Sequence, residues 1–292
     1  MPTIIERIGQ KVFESLPHTQ YFDLLYARIR FLHTFKRSLN LDSPSTLNEK
    51  IQWLKIYNRR PIHTSLADKY EVRNFVADRV GSYILNEVIA VYNKVEDINL
   101  SVLPDSFVMR CTHGSGMNII CKNKTTIDWE ADRAMLHKWM NENYYGIYRE
   151  WHYKNIQPRI LCEKFIHTRD SDELLDYKIF CFAGKPHLIQ VDLDRFTQHS
   201  RNLYDLTWNK LPVRFKYPVS SRLVEIPSQF EEMKYIAEKL SEGFPFMRVD
   251  LYSAENRITF GELTFHPGNG FEVFTPHDYD LKLGKLLVLP VQ

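Results

Sequence analysis

Asp250 and Glu262 are the side chains whose type and spacing most suggest chemistry. They lie in Met247 to Gly270, MRVDLYSAENRITFGELTFHPGNG. Met247–Tyr252 and Arg257–Leu263 read as β-rich runs joined by Ser253-Ala254-Glu255-Asn256, a polar turn of hairpin length. Strand side chains alternate faces, so Arg248 and Asp250 share one face, with Glu262 near the end of the second strand and Thr264 two residues on. An Asp and a Glu joined by a hairpin form a hard-oxygen site suited to Mg²⁺, which keeps several waters and bridges to substrate phosphates. The glycines of Pro267-Gly268-Asn269-Gly270 let backbone approach a ligand closely. The plainer alternative is a hairpin with a cross-strand polar pair.

A second stretch, Phe107 to Cys121 (FVMRCTHGSGMNIIC), reads as strand, loop, strand. Small residues at His113-Gly114-Ser115-Gly116 let backbone N–H groups fold over phosphate oxygens, and Arg110 on the entering strand adds a cation. The loop lacks the GxxxxGK[ST] pattern and joins two strands instead of opening a helix, so it is not a Walker A loop.

The elements positioning these stretches come from periodicity. Ile4, Ile5, Ile8, Val12 and Leu16 recur at helical spacing. Tyr21 to Ser38 mixes aromatics with bases and reads as an amphipathic helix with a basic face, or as a weak interfacial helix. Thr46-Leu47-Asn48-Glu49 fits a capping box. Helices are expected over Leu66 to Val80, Asp128 to Asn143, Ser228 to Gly243 and Tyr279 to Val288. Strands are expected over Tyr83 to Tyr92, Arg159 to Ile166, Leu175 to Phe182 and Pro186 to Asp192. With 292 residues, the chain is long enough for two or three subdomains. A net charge of +2 gives no bulk electrostatic drive toward nucleic acid. Cys111, Cys121, Cys162 and Cys181 lack CxxC spacing and fall in apolar runs, which argues for buried thiols and against zinc. No apolar run approaches the ~18 residues of a spanning helix, so the expectation is a soluble, cytoplasmic protein, with segment 21–38 a possible contact to the inner membrane face.

The order of parts resembles the ATP-grasp fold, in which ATP lies between two antiparallel sheets. More closely, the chain is similar to the TupA-like ATP-grasp family of polysaccharide-modifying proteins. The resembling residues run from about Asn48 to Gly284: NEKIQWLKIYNRRP, LADKYEVRNFV, MRCTHGSGMNIICK, REWHYKNIQPRILCEKFI, DYKIFCFAGKPHLIQVD, GFPFMRVDLY and FGELTFHPGNGFE. The resemblance implies an α+β protein with two antiparallel-sheet subdomains and a helical N-terminal segment. Its segments would be 1–45, an α/β subdomain 46–105, a lid 106–166 and a metal-bearing subdomain 167–292. It implies ATP and Mg²⁺ as cofactors. Arg110 would stand where the family carries a phosphate-binding Lys, and His113, Gly114, Ser115 and Gly116 would close over the triphosphate. Glu163, Lys164, Phe165 and Ile166 would form the adenine hinge, and Asp170 or Glu173 would take the ribose hydroxyls. Lys178 would touch the phosphates, and Asp250 and Glu262 would hold the metal. The family's Glu-x-Asn is here Glu262-Leu263-Thr264, which weakens the case for a second metal.

An ATP-grasp ligase activates a carboxylate as an acyl phosphate that an amine attacks, so a cation is needed beside the donor carboxylate. Arg248 is the leading candidate, with Arg195, His199, Arg201 and Gly268 also placed toward substrate. The implied substrates are a uronic acid of a cell-surface glycan and an amino acid or amine. A kinase or glycosyltransferase of the same pathway is the competing function; Asp192-Leu193-Asp194 fits the Asp-x-Asp pattern of the latter.

Overall fold

The computed structural model describes residues 13–168, 174–195, 197–254 and 256–291. Asp170 and Glu173, and the expected helical turns before Phe13, lie outside these residues. The helices are α1 Gln20–Phe35, α2 Leu47–Tyr57, α3 Pro61–Ala67, α4 Val72–Val80, α5 Trp129–Met140, α6 Tyr144–Tyr148, α7 Phe230–Ser241 and α8 Asp278–Leu286. The strands are β1 Val88–Tyr92, β2 Phe107–Cys111, β3 Asn118–Cys121, β4 Ile160–Lys164, β5 Asp176–Phe182, β6 Lys185–Leu193, β7 Ser200–Tyr204, β8 Arg214–Phe215, β9 Phe246–Ala254, β10 Arg257–Thr264 and β11 Phe274–Thr275.

The chain forms two compact units. The first joins residues 1–59 to 168–292, and the second is residues 60–167. This departs from the four segments expected from sequence, because α1 and α2 pack with the C-terminal half. The capping box forms as expected, Thr46 accepting from the Glu49 N–H. Helix α2 is buried nearly all round and therefore needs partners. Its backbone N–H at Asn48 donates to Asp280 on α8 (3.0 Å), and Lys50 Nζ reaches the carbonyls of Gly284 and Leu287 (both 2.7 Å). A side chain at Gly284 would meet the Ser45 carbonyl at 2.2 Å, so the close approach needs glycine there.

The first unit is built on a five-stranded antiparallel sheet ordered β10-β9-β5-β6-β7. One face packs on α7, whose Met233, Ile236, Ala237 and Leu240 are buried. On β5 the other face carries Phe180 and Phe182 into a core shared with Ile51 and Leu54 of α2. Strand alternation puts Lys178 and Asp176 on that same face, further along. The apolar end of the face anchors the sheet and leaves its polar end for chemistry.

The second unit is a four-stranded antiparallel sheet ordered β1-β4-β2-β3. Phe107, Met109 and Cys111 of β2 point into a core with Cys162 and Leu136. Val108 and Arg110 take the opposite face. The helix expected over Leu66 to Val80 is broken into α3 and α4. Asp68 accepts from the N–H groups of Tyr70 (2.8 Å) and Glu71 (3.2 Å), a local turn that competes with helix continuation. The strand expected from Tyr83 begins only at Val88, after a single helical turn at Ser82–Ile84. All four cysteines are buried and unpaired with each other, as expected, and burial pushes the Cys111, Cys162 and Cys181 thiols up to about 12.

Candidate active site

The β9–β10 hairpin is tighter than expected: Ala254 already pairs with Arg257. Asn256 has φ 58°, the left-handed conformation that Asn tolerates in such turns. A register shift between Phe260 and Glu262 sets Glu262 opposite Asp250 and Thr264 opposite Arg248. Lys178 on β5 faces Asp250 from the other side. The pattern thus brings Arg248, Asp250, Glu262, Thr264 and Lys178 together on one sheet face.

Arg248 forks onto Asp250, Nε to Oδ1 and Nη2 to Oδ2, both 2.6 Å. The same Nη2 reaches Glu262 Oε1 at 3.2 Å and Thr264 Oγ1 at 3.0 Å. Thr264 donates back to Glu262 Oε1 at 2.9 Å. Lys178 Nζ donates to Asp250 Oδ2 at 2.9 Å and also to Asp176, which Arg195 contacts at 3.1 Å. Burial works against the Lys178 ammonium, but Asp176 and Asp250 outweigh it and hold its pKa well above the usual lysine value. Burial likewise opposes the Arg248 charge and is overcome by Asp250 and Glu262. Asp250 is pushed up by its own burial and by Asp176 and Glu262, while the two cations pull it down. The three acids and three bases, Asp176, Asp250, Glu262, Lys178, Arg195 and Arg248, sum to zero. Three oxygens of Asp250, Glu262 and Thr264 converge on a single positively charged nitrogen. This hard-oxygen cage, already accommodating a cation, fits the donor chemistry of Mg²⁺.

Arg201 and His199, expected to face substrate, are engaged by other groups of the protein. Arg201 lies within β7 and is buried, with Nε on Asp192 Oδ1 (2.5 Å) and Nη1 on Glu272 Oε2 (2.8 Å). Lys216 holds the other Glu272 oxygen at 3.0 Å. His199 stacks on Tyr217 with ring centres 3.6 Å apart. Burial would raise the Asp192 carboxyl, but Arg201, Lys178 and Gln190 outweigh it and hold it well below the usual carboxylate range. Asp192 is thus tied into an ion-pair network, and Asp194 sits exposed beyond β6 at φ 53°, so the Asp-x-Asp tripeptide does not present two convergent acids. Gly268 also has a structural reason: a Cβ there would meet the Glu272 side chain at 2.2 Å. Gln52 Nε2 of α2 donates to the Asn269 and Gly270 carbonyls (2.8 and 3.1 Å), and Lys55 Nζ to Asn269 Oδ1 (2.7 Å). Gln52 and Lys55 of α2 therefore position the loop after the hairpin.

In the second unit, Arg110 and Glu163 share a sheet face. Arg110 Nη2 donates to Glu163 Oε2 at 2.6 Å, and Arg73 Nη1 to Oε1 at 3.2 Å. The Glu163 side chain is therefore buried counter-charge to two arginines. Lys164 uses its backbone N–H on the Glu87 carbonyl (3.0 Å), and its carbonyl accepts from Asn86 (2.8 Å). Of the expected hinge, Phe165 and Ile166 follow the end of β4.

The glycine loop is anchored on its entering side. The Thr112 N–H donates to the Arg159 carbonyl at 2.9 Å. His113 is buried, its ring nitrogen 2.9 Å from the Trp139 carbonyl, so its side chain anchors the loop instead of facing outward. Lys69 Nζ donates to the Gly114 carbonyl. Ser115 and Gly116 alone form an exposed tip. Lys69 is a buried cation that sequence reasoning passed over; its only local signal is the Asp68 turn that ends α3 beside it.

These features belong to one class of protein, the ATP-grasp fold. The family model for TupA-like ATP-grasp proteins matches residues 49–288, and the chain belongs to that family. No protein of curated function matches the sequence. Among solved structures, the chain is similar to a D-alanine–D-alanine ligase from Bacillus anthracis complexed with ATP, at 14% identity over 68% of this chain and 55% of that one, TM-score 0.41. It is also similar to a RimK domain ATP-grasp protein from Sphaerobacter thermophilus, at 11% identity over 79% and 70%, TM-score 0.43. A D-alanine–D-alanine ligase from Helicobacter pylori aligns at 15% identity over 83% and 69%, TM-score 0.43. The chain thus spans little more than half the length of the first of these.

Proposed function

We propose that the protein is an ATP- and Mg²⁺-dependent carboxylate–amine ligase that acts through an acyl phosphate. Its donor would be a uronic acid of a cell-surface polysaccharide or precursor, and its acceptor an amino acid or amine. The observation that carries this reading is the oxygen cage of Asp250, Glu262 and Thr264 with Arg248 and Lys178 on the same face. Asp250 and Glu262 would hold Mg²⁺, which when bound neutralises developing phosphate charge. Lys178 would contact phosphate oxygens. Arg248 would orient the donor carboxylate through fork geometry that a lysine does not supply. Arg110 and the Ser115-Gly116 tip would take the triphosphate, and the backbone of Phe165 and Ile166 the adenine edge. The segments 106–166 and 167–292 would act as lid and metal subdomain. The buried pairing of Asp192 with Arg201 supports the ligase over a metal-dependent glycosyltransferase.

The protein would work in the cytoplasm. No helix among the described residues is long and apolar enough to cross a membrane. Exposed Tyr21, Ile29 and Leu32 with Arg28 on α1, and Lys36 just after it, support weak contact with the inner membrane face.

The test is ADP release in the presence of a uronic acid and a panel of amines. The expected result is release that requires both, equal inorganic phosphate, and a hydroxamate when hydroxylamine replaces the amine. A phosphorylated sugar without inorganic phosphate establishes a kinase instead.

A further inference from the structure

Arg248 Nη2 stands where a metal ligated by this hairpin would be expected. Its three oxygen neighbours come from three side chains: Asp250 Oδ2 at 2.6 Å, Thr264 Oγ1 at 3.0 Å and Glu262 Oε1 at 3.2 Å. Mg²⁺ binds oxygen at about 2.0–2.1 Å, so an ion gripped by the same three atoms on the same side would displace the guanidinium nitrogen by overlap. Both oxygens of Asp250 are engaged, by Arg248 Nε and Nη2 and by Lys178. Such a bidentate, charge-assisted pair is strong and geometrically fixed. Arg248 is 11% exposed, so it is neither fully sealed nor merely solvated.

The charge balance points the same way. The six-group cluster is neutral with the guanidinium in place. A divalent ion would bring it to +2, and moving Arg248 away would let the acids serve the ion while the freed guanidinium met an anion.

We propose that Arg248 and the divalent cation are mutually exclusive occupants of the cage formed by Asp250, Glu262 and Thr264, so that loading the cation ejects the guanidinium and turns a structural counter-ion into a substrate-binding one. This rests on the assignment of the hairpin as the metal site. It makes Arg248 a sensor of metal loading as well as a donor-binding group, since its fork is available for a carboxylate only once the cage is filled.

The experiment uses the full-length protein and two readouts besides turnover. The first is Mn²⁺ binding without nucleotide, followed by the electron spin resonance of the free ion, in wild type and in the Arg248→Leu, Arg248→Lys and Asp250→Asn variants. The second is the side-chain Nε signal of Arg248 in ¹⁵N-arginine-labelled protein, assigned by its loss in Arg248→Lys and followed on addition of Mg²⁺. The expected results are about tenfold or greater tightening of Mn²⁺ binding in Arg248→Leu, near abolition in Asp250→Asn, and a shift or loss of the Arg248 Nε signal as Mg²⁺ saturates. If Mn²⁺ binds wild type through Asp250 while the Nε signal does not move, the ion lies elsewhere around Asp250 and the exclusion is wrong, though the metal site stands. Equal Mn²⁺ affinity in wild type and Arg248→Leu likewise overturns it. If neither wild type nor Arg248→Leu binds Mn²⁺, the metal assignment itself fails. Near-ultraviolet circular dichroism of each variant separates these results from loss of fold, and Arg248→Lys, which keeps the charge, provides the binding comparison if Arg248→Leu does not fold.

Discussion

The two units solve one electrostatic problem in opposite ways. In the first, three buried or half-buried acids meet three bases, and oxygens of two of those acids, with the Thr264 hydroxyl, converge on one nitrogen. In the second, Glu163 lies between two arginines, Arg73 and Arg110, and these three groups sum to +1. A neutral cluster whose oxygens converge suits exchange of one cation for another. A cluster with more cations than acids suits an anion. The difference shows how two antiparallel sheets of similar construction can be specialised by counting charges around a buried carboxylate.

The largest expected effect comes from breaking the first cluster. Asp250→Asn should lower ADP-forming turnover by a thousandfold or more and cost about 3–5 kcal/mol, because Arg248 and Lys178 lose a buried partner. Glu262→Gln should reduce turnover comparably while costing under ~1 kcal/mol, since Glu262 is 33% exposed. Urea unfolding beside an ADP assay measures both; equal stability losses for the two variants would contradict the burial argument.

Next comes the second unit. Glu163→Gln should cost about 2–4 kcal/mol in urea unfolding by leaving two adjacent half-buried arginines without their carboxylate, and Arg73→Met should partly rescue it. Rescue by a double variant would confirm the surplus of positive charge, and additive losses would refute it.

Acid should then distinguish the units. Burial, with Arg60 adding to it, pulls His63 in the second unit down to about 4. Its folded pKa lies below the unfolded value near 6.5, so the folded state resists a proton that the unfolded state accepts, and stability falls as pH drops from 6.5 toward 4. The loss should be about 2 kcal/mol between pH 6.5 and 5, and His63→Gln should flatten it. Asp192 in the first unit behaves differently. Its folded pKa is depressed, so its contribution is complete above about pH 4 and is lost only below that. Amide exchange at pH 5 should therefore rise first within residues 60–167, and uniform loss would argue against the assignment.

The smallest effect concerns the loop. Gly116 has φ 77°, so Gly116→Ala should cost about 1 kcal/mol through backbone strain. A Cβ on Gly114 would meet Met117 Sδ at 2.7 Å, and that side chain can move, so a similar or smaller cost is expected. Exchange at Ser115 and Gly116 should slow with saturating ATP, whereas Thr112 and His113, already anchored, should change little.

Much of this was legible in the sequence where the signal was local. Period-two runs marked β2 and β5, the capping box marked α2, and the hairpin placed Asp250 beside Glu262 because pairing follows from a short connection. The counter-ions were not legible. Glu163 meets an arginine 90 residues away, and Glu272 one 71 residues away. Such partners are chosen by sheet order and register, which leave no trace in spacing. Hence neither the buried tie of Arg201 nor the room that Gly268 makes for Glu272 could be read from spacing. The α3–α4 break was missed although Asp68 carried the signal, because Leu66, Val72, Phe75 and Val76 keep helical spacing across it.

The pairing of α2 with α8 also sets a schedule. Asn48 and Asp280 are 232 positions apart, whereas the second unit is one uninterrupted stretch. At roughly 5–20 residues per second, a ribosome needs on the order of 10–50 s between making Asn48 and making its partner. Residues 60–167 can assemble soon after they emerge, but α2, buried on nearly every side in the finished fold, must wait through that interval. Its Trp53, Leu54 and Ile56 are then the nascent surface a holding chaperone would meet first.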